Sequence, residues 1–520
     1  MKSVTIERER YVDSVLLLFA TREVKALPGI REAVVALATP ANREALARIG
    51  FVSPDLDRAG ANDLVIALEG ETAEALGTAA ARAREILARR EEHRPEEGSR
   101  PATLREAIRL LPGANLVLLS VPGAYAAREA LLALRKGLHV MLFSDNVPLE
   151  DEIALKKEAL ERGLLLMGPD CGTAIVAGKP LGFANVVRRG RIGVVGASGT
   201  GIQEVTSLVD RLGGGISHAL GTGGHDLSEA VGGVMAEFCL RALAEDEATE
   251  AIVLLSKRPA PAVGQRLLSV LEKTGKPGIV HFLGDGEKPP HGSLVFPGSL
   301  AAVARWACES VGLLIPLEGL PDADLDLLAE KETKGLAKGQ TSLRGYFCGG
   351  TLAQEAWHLL ARHGFALPSN VATDPKLKVE DEGGAAGDVL LDLGDDRFTR
   401  GRPHPMIEPS LRDERIPIAA EDPRVAVILV DLVLGNGAHL DPAAGLAEAA
   451  ARAKKTVAAR GGSLSVVASV TGTEGDPQGY SRQRRTLEEA GVRVLDTNEE
   501  AAHLAVAILR RLSRGGRRPG

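Results

Sequence analysis

A chain of 520 residues is too long for one ordinary core, so three or four domains are expected. Hydrophobic residues are 45% and charged residues 25%, the balance of a globular chain and not of a disordered one. The net charge of −7, with 62 Lys+Arg against 69 Asp+Glu spread along the chain, argues against nucleic acid as the main partner, which would need a concentrated basic surface.

In chain order, Val15-Leu16-Leu17-Leu18-Phe19 is too short and too mixed in its flanks for a secretory signal. The apolar runs that follow are short and strand-like: Leu116-Val117-Leu118-Leu119, Val140-Met141-Leu142-Phe143, Ile192-Gly193-Val194-Val195, Ala251-Ile252-Val253-Leu254-Leu255, Ile279-Val280, Val389-Leu390-Leu391, Val425 to Val430 and Leu464 to Val467. Between them lie helical spacings such as Ile202, Val205, Leu208, Val209 and Leu212. Buried strands alternating with amphipathic helices predict βαβ units and parallel sheets, an α/β fold. Two charged stretches, 88–103 and 317–342, interrupt the pattern as linkers. They leave a small α/β domain over 1–90, a pair over 100–187 and 188–316, and a last domain over 343–512. Arg510, Arg511, Arg514, Arg517 and Arg518 read as a solvated, frayed terminus. The four cysteines, Cys171, Cys239, Cys308 and Cys348, form no CxxC pair; they suit a reducing compartment and give no metal spacing. No apolar stretch approaches the length of a membrane span, so a cytoplasmic protein is expected.

Two motifs share one device. In Gly193-Val194-Val195-Gly196-Ala197-Ser198-Gly199-Thr200-Gly201 a strand passes through small residues straight into a helix. Gly345-Tyr346-Phe347-Cys348-Gly349-Gly350-Thr351 repeats the arrangement in the last domain. Glycines let backbone N–H groups approach an anion, and the first helical turn offers unpaired donors and the positive end of the dipole. Ser198, Gly199, Thr200, Gly349, Gly350 and Thr351 are therefore candidate phosphate ligands, against the plainer reading of two N-caps. Ser120 and Ser144 lie in polar loops after strands, where nucleotide-like ligands dock on parallel sheets. Among the histidines, His225, His404 and His439 lie in glycine- or proline-flanked loops and are candidates for proton transfer. His93, His358, His363 and His503 lie on helical or linker stretches and read as inert.

At these residues a resemblance enters. Residues 100–316 resemble the α subunit of succinyl-CoA synthetase and other ADP-forming acyl-CoA synthetases, through Gly168-Pro169-Asp170-Cys171-Gly172, Ser198-Gly199-Thr200 and Gly221-Thr222-Gly223-Gly224. Residues 343–510 resemble the ligase domain of the β subunit, through Gly349-Gly350-Thr351, Asp392-Leu393-Gly394-Asp395 and Leu434-Gly435-Asn436-Gly437. The fused order, with an extra N-terminal domain and the loop Pro403-His404-Pro405-Met406-Ile407-Glu408-Pro409, is similar to the FdrA group. The resemblance implies a Rossmann-like CoA-binding-type domain followed by two flavodoxin-like ligase domains. It also implies that Ser120, Ser144, Asp170, Cys171 and Asn436 line a CoA or substrate site, with CoA or a nucleotide as the cofactor it allows and no metal. The family's phosphohistidine motif, Gly-His-Ala-Gly-Ala, is not matched by Gly284 to Ser293, where His291 stands. Nor is any segment read as an ATP-grasp domain. The implied reaction is carbamoyl phosphate plus oxamate giving oxalurate plus phosphate, in allantoin breakdown. The alternatives are an acyl-CoA ligase with a partner chain supplying ATP-grasp and His291 or His225 carrying phosphate, and a non-catalytic CoA- or nucleotide-binding regulatory subunit. Partner subunits in a homo- or hetero-oligomer are expected with either enzyme.

Overall fold

In a computed structural model, residues 1–520 are described except 9, 11, 13, 40, 41, 44, 45, 48, 61, 93–100, 316–320, 382–386, 400, 401 and 515–520. His93, most of the charged run 91–98, the first residues of the 317–342 segment and Arg517 and Arg518 thus lie outside the described residues. The chain divides into two units, Met1–Ala102 with Asp396–Pro403, and Thr103–Asp395 with His404–Gly520.

The first unit carries a sheet ordered β1 (Lys2–Glu7), β3 (Leu64–Gly70), β2 (Ile30–Leu37), with both pairings antiparallel. The central strand alternates: Leu64, Ile66 and Leu68 face a core with Leu17, Ala20 and Val24 of helix Ser14–Lys25 and Leu76, Ala79 and Ala83 of helix Ala73–Glu92. Val65 and Ala67 face a second core with Leu46, Phe51 and Leu56. The parallel pairing expected along most of the chain therefore does not extend to this unit; with both faces of the central strand covered, its apolar run cannot distinguish the two pairings.

Among the described residues, the second unit holds three sheets. β4 (Leu116–Leu119), β5 (His139–Leu142) and β6 (Leu166–Met167) form a small parallel sheet of Rossmann-like βα units. The next strands are β7 (Thr173–Val176), β8 (Lys179–Gly182), β9 (Arg189–Ala197), β10 (Ile216–Gly221), β11 (Ala251–Ser256), β12 (Gly278–Phe282), β13 (Lys288–His291) and β14 (Leu294–Phe296). They form one sheet ordered β13-β14-β12-β11-β9-β10-β7-β8. The last sheet is β16 (Val389–Asp392), β15 (Ser342–Phe347), β17 (Val425–Val433), β18 (Ser465–Thr471), β19 (Arg493–Leu495), all parallel.

Both larger sheets follow one rule. Counted in chain order, β16-β15-β17-β18-β19 is 2-1-3-4-5, and the parallel run β10-β9-β11-β12-β14 is the same order. This is flavodoxin-like winding, whose ligand crevice opens between strands 1 and 3, at the point where strand order reverses. Helix Gly199–Arg211 leaves strand 1 of one sheet and helix Gly350–Arg362 leaves strand 1 of the other. One core runs through both, joining Ile202 and Val205 with Leu352 and Ala356.

The hairpin β7–β8, within the segment 100–187, pairs through β7 with β10 and so joins the second sheet. The segment 317–342 contains helix Asp322–Thr333, with Leu325 and Ala329 buried in the large core; Asp324, Asp326, Glu330 and Lys331 are exposed, and Glu332 pairs with Arg493 at 2.9 Å. Arg511 of the basic tail pairs with Glu330 at 3.2 Å on the terminal helix Asn498–Arg514. Among the described residues, no helix is long and apolar enough to cross a membrane.

The two flavodoxin-like halves are also joined by buried polar groups. Glu355 accepts from Leu300 N and from Asn498 Nδ2, each at 2.8 Å, and Asn498 N donates to Glu204 at 3.3 Å. Burial, and then the charge of Glu499, pushes the Glu355 carboxyl up to about 8. Its folded value therefore lies above its unfolded one. Its contribution to stability is fully present below the ordinary glutamate range and is lost as pH rises through about 8. Denaturant unfolding is expected to show lower stability at pH 9 than at pH 7, and the Glu355→Gln variant a smaller fall. An equal fall in the two proteins would exclude Glu355 as its source.

Candidate functional site at two facing helix starts

The sequence places the two helix starts 151 residues apart; the fold brings them into contact. Ser198 Oγ and Thr351 Oγ1 share a hydrogen bond of 2.6 Å, and Thr351 N donates to Thr200 Oγ1 at 3.3 Å. Neither Ser198 nor Gly349 caps its own helix through a side chain. The N–H groups of Gly199, Thr200 and Gly350 have no hydrogen bond among the described residues, so the donors at two helix starts stay available beside each other. Gly199, Thr200 and Gly350 are partly exposed, while Ser198 and Thr351 are buried.

Two acidic residues shape the second start. Asp431, a lone charge in the otherwise apolar β17, accepts from Cys348 N and Gly349 N at 2.7 Å each. Burial pushes its carboxyl up to about 6, against those N–H groups and the charge of Arg412. Arg412, itself buried, donates to Asp431 O at 2.9 Å and pairs with Asp413 at 2.9 Å. Asp392 ends β16 and lies so close to Gly350 that a β-carbon there would come 2.6 Å from Oδ2; glycine is needed for that approach. Burial pushes the Asp392 carboxyl up to about 7, countered by Gly394 N–H and Lys257 and reinforced by Asp395 and Asp431. Lys257 directly follows β11, strand 3 of its sheet, at the crevice predicted by the strand order.

Of the three candidate histidines, His404 reaches this cluster. Its Nε2 lies 2.7 Å from where a β-carbon on Gly394 would stand, and its ring meets Phe183 at 5.6 Å between centroids. Phe183 in turn meets Phe143, at the end of β5, at 5.1 Å. Burial pushes His404 down to about 4, against the charge of Asp145. His439 instead holds its own loop, with N donating to Met406 O at 2.8 Å and Nδ1 accepting from Asp441 N at 3.1 Å. His225 is exposed, its Nδ1 3.3 Å from Glu152. His291 stands exposed on the edge strand β13, four strands from β9, or roughly 19 Å at about 4.8 Å per strand.

Of the residues proposed for a CoA or substrate site, three gather at one end of the small parallel sheet, where Asp170 N donates to Ser144 O at 3.0 Å. Ser120, Ser144 and Asp170 follow the carboxyl ends of β4, β5 and β6; Ser120 and Asp170 are exposed, and Ser144 is buried with no partner for its hydroxyl among the described residues. Cys171 is buried between the carbonyls of Thr173 and Gly221, at 3.6 and 3.4 Å, and burial pushes its thiol up to about 12. Asn436 N donates to Ala184 O at 3.1 Å, tying the two halves together. The sequence marked Asp392 only as part of the turn Asp392-Leu393-Gly394-Asp395, and did not mark Asp431, Arg412 or Lys257. The legible signal was an acid ending or interrupting an apolar strand, in Val389-Leu390-Leu391-Asp392 and in Val425 to Val433.

Two family models agree with this architecture. The family model described as CoA-ligase matches residues 346–508, and that of a CoA binding domain matches 187–283. The latter falls on the second sheet and not on the segment 100–187; both are built of the same strand–glycine–helix units, which periodicity alone does not separate. A third, described as AllF, heavy metal-associated domain, matches residues 1–103. The sequence has no cysteine before Cys171 and no histidine before His93, so residues 1–92 lack the thiol and imidazole donors that suit soft metals. The succinate–CoA ligase [ADP-forming] subunit alpha of Aquifex aeolicus (strain VF5) is 27% identical over 225 residues, 41% of this chain and 72% of that protein. The ATP citrate lyase of Methanothrix soehngenii aligns over 80% of this chain and 86% of its own, with 12% identity and a TM-score of 0.35. The two flavodoxin-like halves and the CoA-binding-type match define a protein of acyl-CoA synthetase-like, ADP-forming ligase-type fold. The chain belongs to the family of uncharacterized protein YahF of Escherichia coli (strain K12), with which it is 40% identical over 511 residues, 96% of this chain and 97% of that protein.

Proposed function

We propose that the chain moves a small acyl or carbamoyl group between phosphate and an acceptor, with the phosphate held where the two helix starts meet. The contact of Ser198 with Thr351, flanked by unbonded N–H groups on both helices, is the observation that carries this reading. A leaving phosphate gains charge as its bond to the acyl carbon breaks, and fixed donors stabilise that charge without reorganising. The specific reaction, following the FdrA-type resemblance, is carbamoyl phosphate plus oxamate giving oxalurate plus phosphate. The oxamate nitrogen forms a bond to the carbamoyl carbon, the carbon–oxygen bond to phosphate breaks with its electron pair on oxygen, and the nitrogen gives up a proton. Partner subunits and a cytoplasmic setting belong to the same reading.

A second reading, ligation of an acid to CoA with ADP formation, is favoured by the likeness to succinate–CoA ligase alpha subunits and by the CoA binding domain match. CoA would then be the cofactor, and a partner chain would supply ATP. Two assays separate the readings: phosphate release from carbamoyl phosphate that depends on oxamate, and thiol consumption with CoA, ATP and succinate. Activity in the second but not the first would sink the transfer reading. Under either, Thr200→Val removes a hydroxyl beside the proposed phosphate and is expected to lower kcat/KM by about 10²-fold, with only a small fall in melting temperature from losing the bond from Thr351 N. Unchanged activity of an assembly carrying both Thr200→Val and Thr351→Val would point to a regulatory subunit.

A further inference from the structure

Asp392 is held in one orientation. Its N donates to Asn370 Oδ1 and its O accepts from Asn370 Nδ2, both at 2.8 Å, while Gly394 N donates to Oδ1 at 2.8 Å. The second carboxylate oxygen, Oδ2, has no hydrogen bond among the described residues and lies against the Gly350 helix start. His404 flanks the same turn: a β-carbon on Gly394 would stand 2.7 Å from His404 Nε2 and 3.1 Å from Asp392 Oδ1. His404 Nδ1 accepts from Met406 N at 3.2 Å, so the ring proton of the neutral imidazole is on Nε2, the nitrogen that faces Gly394. A free carboxylate oxygen and a neutral N–H donor thus stand together beside the proposed phosphate.

We propose that Asp392 takes the proton from the attacking nitrogen and that His404 donates a hydrogen bond from Nε2 to the acyl oxygen, an assignment that rests on the transfer reading. The proton leaves nitrogen as the nitrogen–carbon bond forms, passes to Asp392 Oδ2, and then goes to the departing phosphate or to water. His404 stays neutral throughout. This division reverses the sequence expectation of histidine as the relay: burial keeps His404 a weak base, and Asp392 titrates in the working range. The charged groups bearing on Asp392 are Lys257 from the end of β11, Asp395 from its own turn and Asp431 from β17.

The test uses the full chain with carbamoyl phosphate and oxamate, reading phosphate release across pH 5.5–9. For the wild type, kcat/KM rises with pH and levels off above about 7. Asp392→Asn is expected to lose about 10²–10⁴-fold in kcat and the pH dependence with it. His404→Gln, which keeps a neutral N–H donor, retains more activity than His404→Ala, and both keep the ionisation. An Asp392→Asn enzyme with the wild-type rate and profile, or an ionisation that disappears in the His404 variants, overturns the assignment while the transfer reading stands. A measurement without substrate runs alongside. In the difference between the two proteins, the infrared band of one protonated carboxyl should be present in the wild type, fade through about pH 7 and be missing from Asp392→Asn, whose remaining bands are those of other buried carboxyls such as Glu355 and Asp431. If no such band distinguishes the two proteins, the proton-acceptor role is overturned whatever reaction the chain performs; if the band is present but no carbamoyl transfer occurs, it is the transfer reading, and with it this assignment, that fails.

Discussion

Replacing Arg412 with methionine is expected to lower the free energy of unfolding by about 3–5 kcal/mol, the range for removing one partner of a buried ion pair. Arg412 is 1% exposed and joins its own helix, Ser410–Ala419, to β17 and to the turn after β15. Its guanidinium pairs with Asp413 at 2.9 Å, donates to Asp431 O at 2.9 Å and approaches Cys348 Sγ at 3.7 Å. Methionine fills most of the space but leaves the carboxylates of Asp413 and Asp431 without their counter-charge, and that uncompensated burial sets the size of the effect. The same change should reach the site, because Asp431 orients Cys348 N and Gly349 N just ahead of the Gly350 helix. Denaturant unfolding measures the stability. Pairing Arg412→Met with Asp413→Asn should restore at least about 1 kcal/mol, as coupled neighbours do. A loss below about 1 kcal/mol in the single variant would mean that water or a shifted side chain replaces the guanidinium.

Much of the fold was legible for a physical reason. Parallel strands covered on both faces read as unbroken apolar runs, and 116–119, 192–195, 251–255, 389–391 and 425–430 all fall within strands. The β7–β8 hairpin was not legible. Its turn, Ala177-Gly178, has φ of 50° and 75°, a left-handed pair usually signalled by Asn-Gly, and its place in the second sheet depends on pairing with β10 some forty residues on. Helix Asp322–Thr333 was not legible because only Leu325 and Ala329 are fully buried, while Leu327 is exposed among acidic neighbours and blurs the apolar stripe. At the site, the glycine–hydroxyl starts showed in the sequence, since small residues and helix entry are local properties. Their mutual contact did not, because it follows from two strand-1 positions meeting across a shared core. A loop position beside glycine likewise marked His225, His404 and His439 alike. Only tertiary packing separates an exposed ring from one set against Gly394.

Lys156→Met is expected to cost about 3–5 kcal/mol, as much as Arg412→Met and by the same physics. Lys156 Nζ lies 2.7 Å from Glu152, 2.8 Å from Asp226 and 3.1 Å from Thr222 O, and all three charged side chains are 1% exposed or less. A lone lysine would not be buried here, and neither would the two carboxylates without it. The cluster ties helix Leu149–Glu161, which packs on the small sheet, to the turn that follows β10 in the second sheet. Asp226 also accepts from Ala236 N at 2.8 Å, so it fixes the first turn of helix Val234–Glu245. Gly223 in the same turn packs against the Pro169 carbonyl too closely for any β-carbon. Loosening the turn therefore loosens the Gly168-Pro169-Asp170 loop at the strand ends proposed for CoA or substrate. Urea unfolding should show the loss, and adding Glu152→Gln to Lys156→Met should recover part of it, because one of the two stranded carboxylates is then neutral. If the double variant is no more stable than the single one, the penalty comes from packing and not from charge. If Lys156→Met unfolds at the wild-type midpoint, the buried triad does not hold these two sheets together.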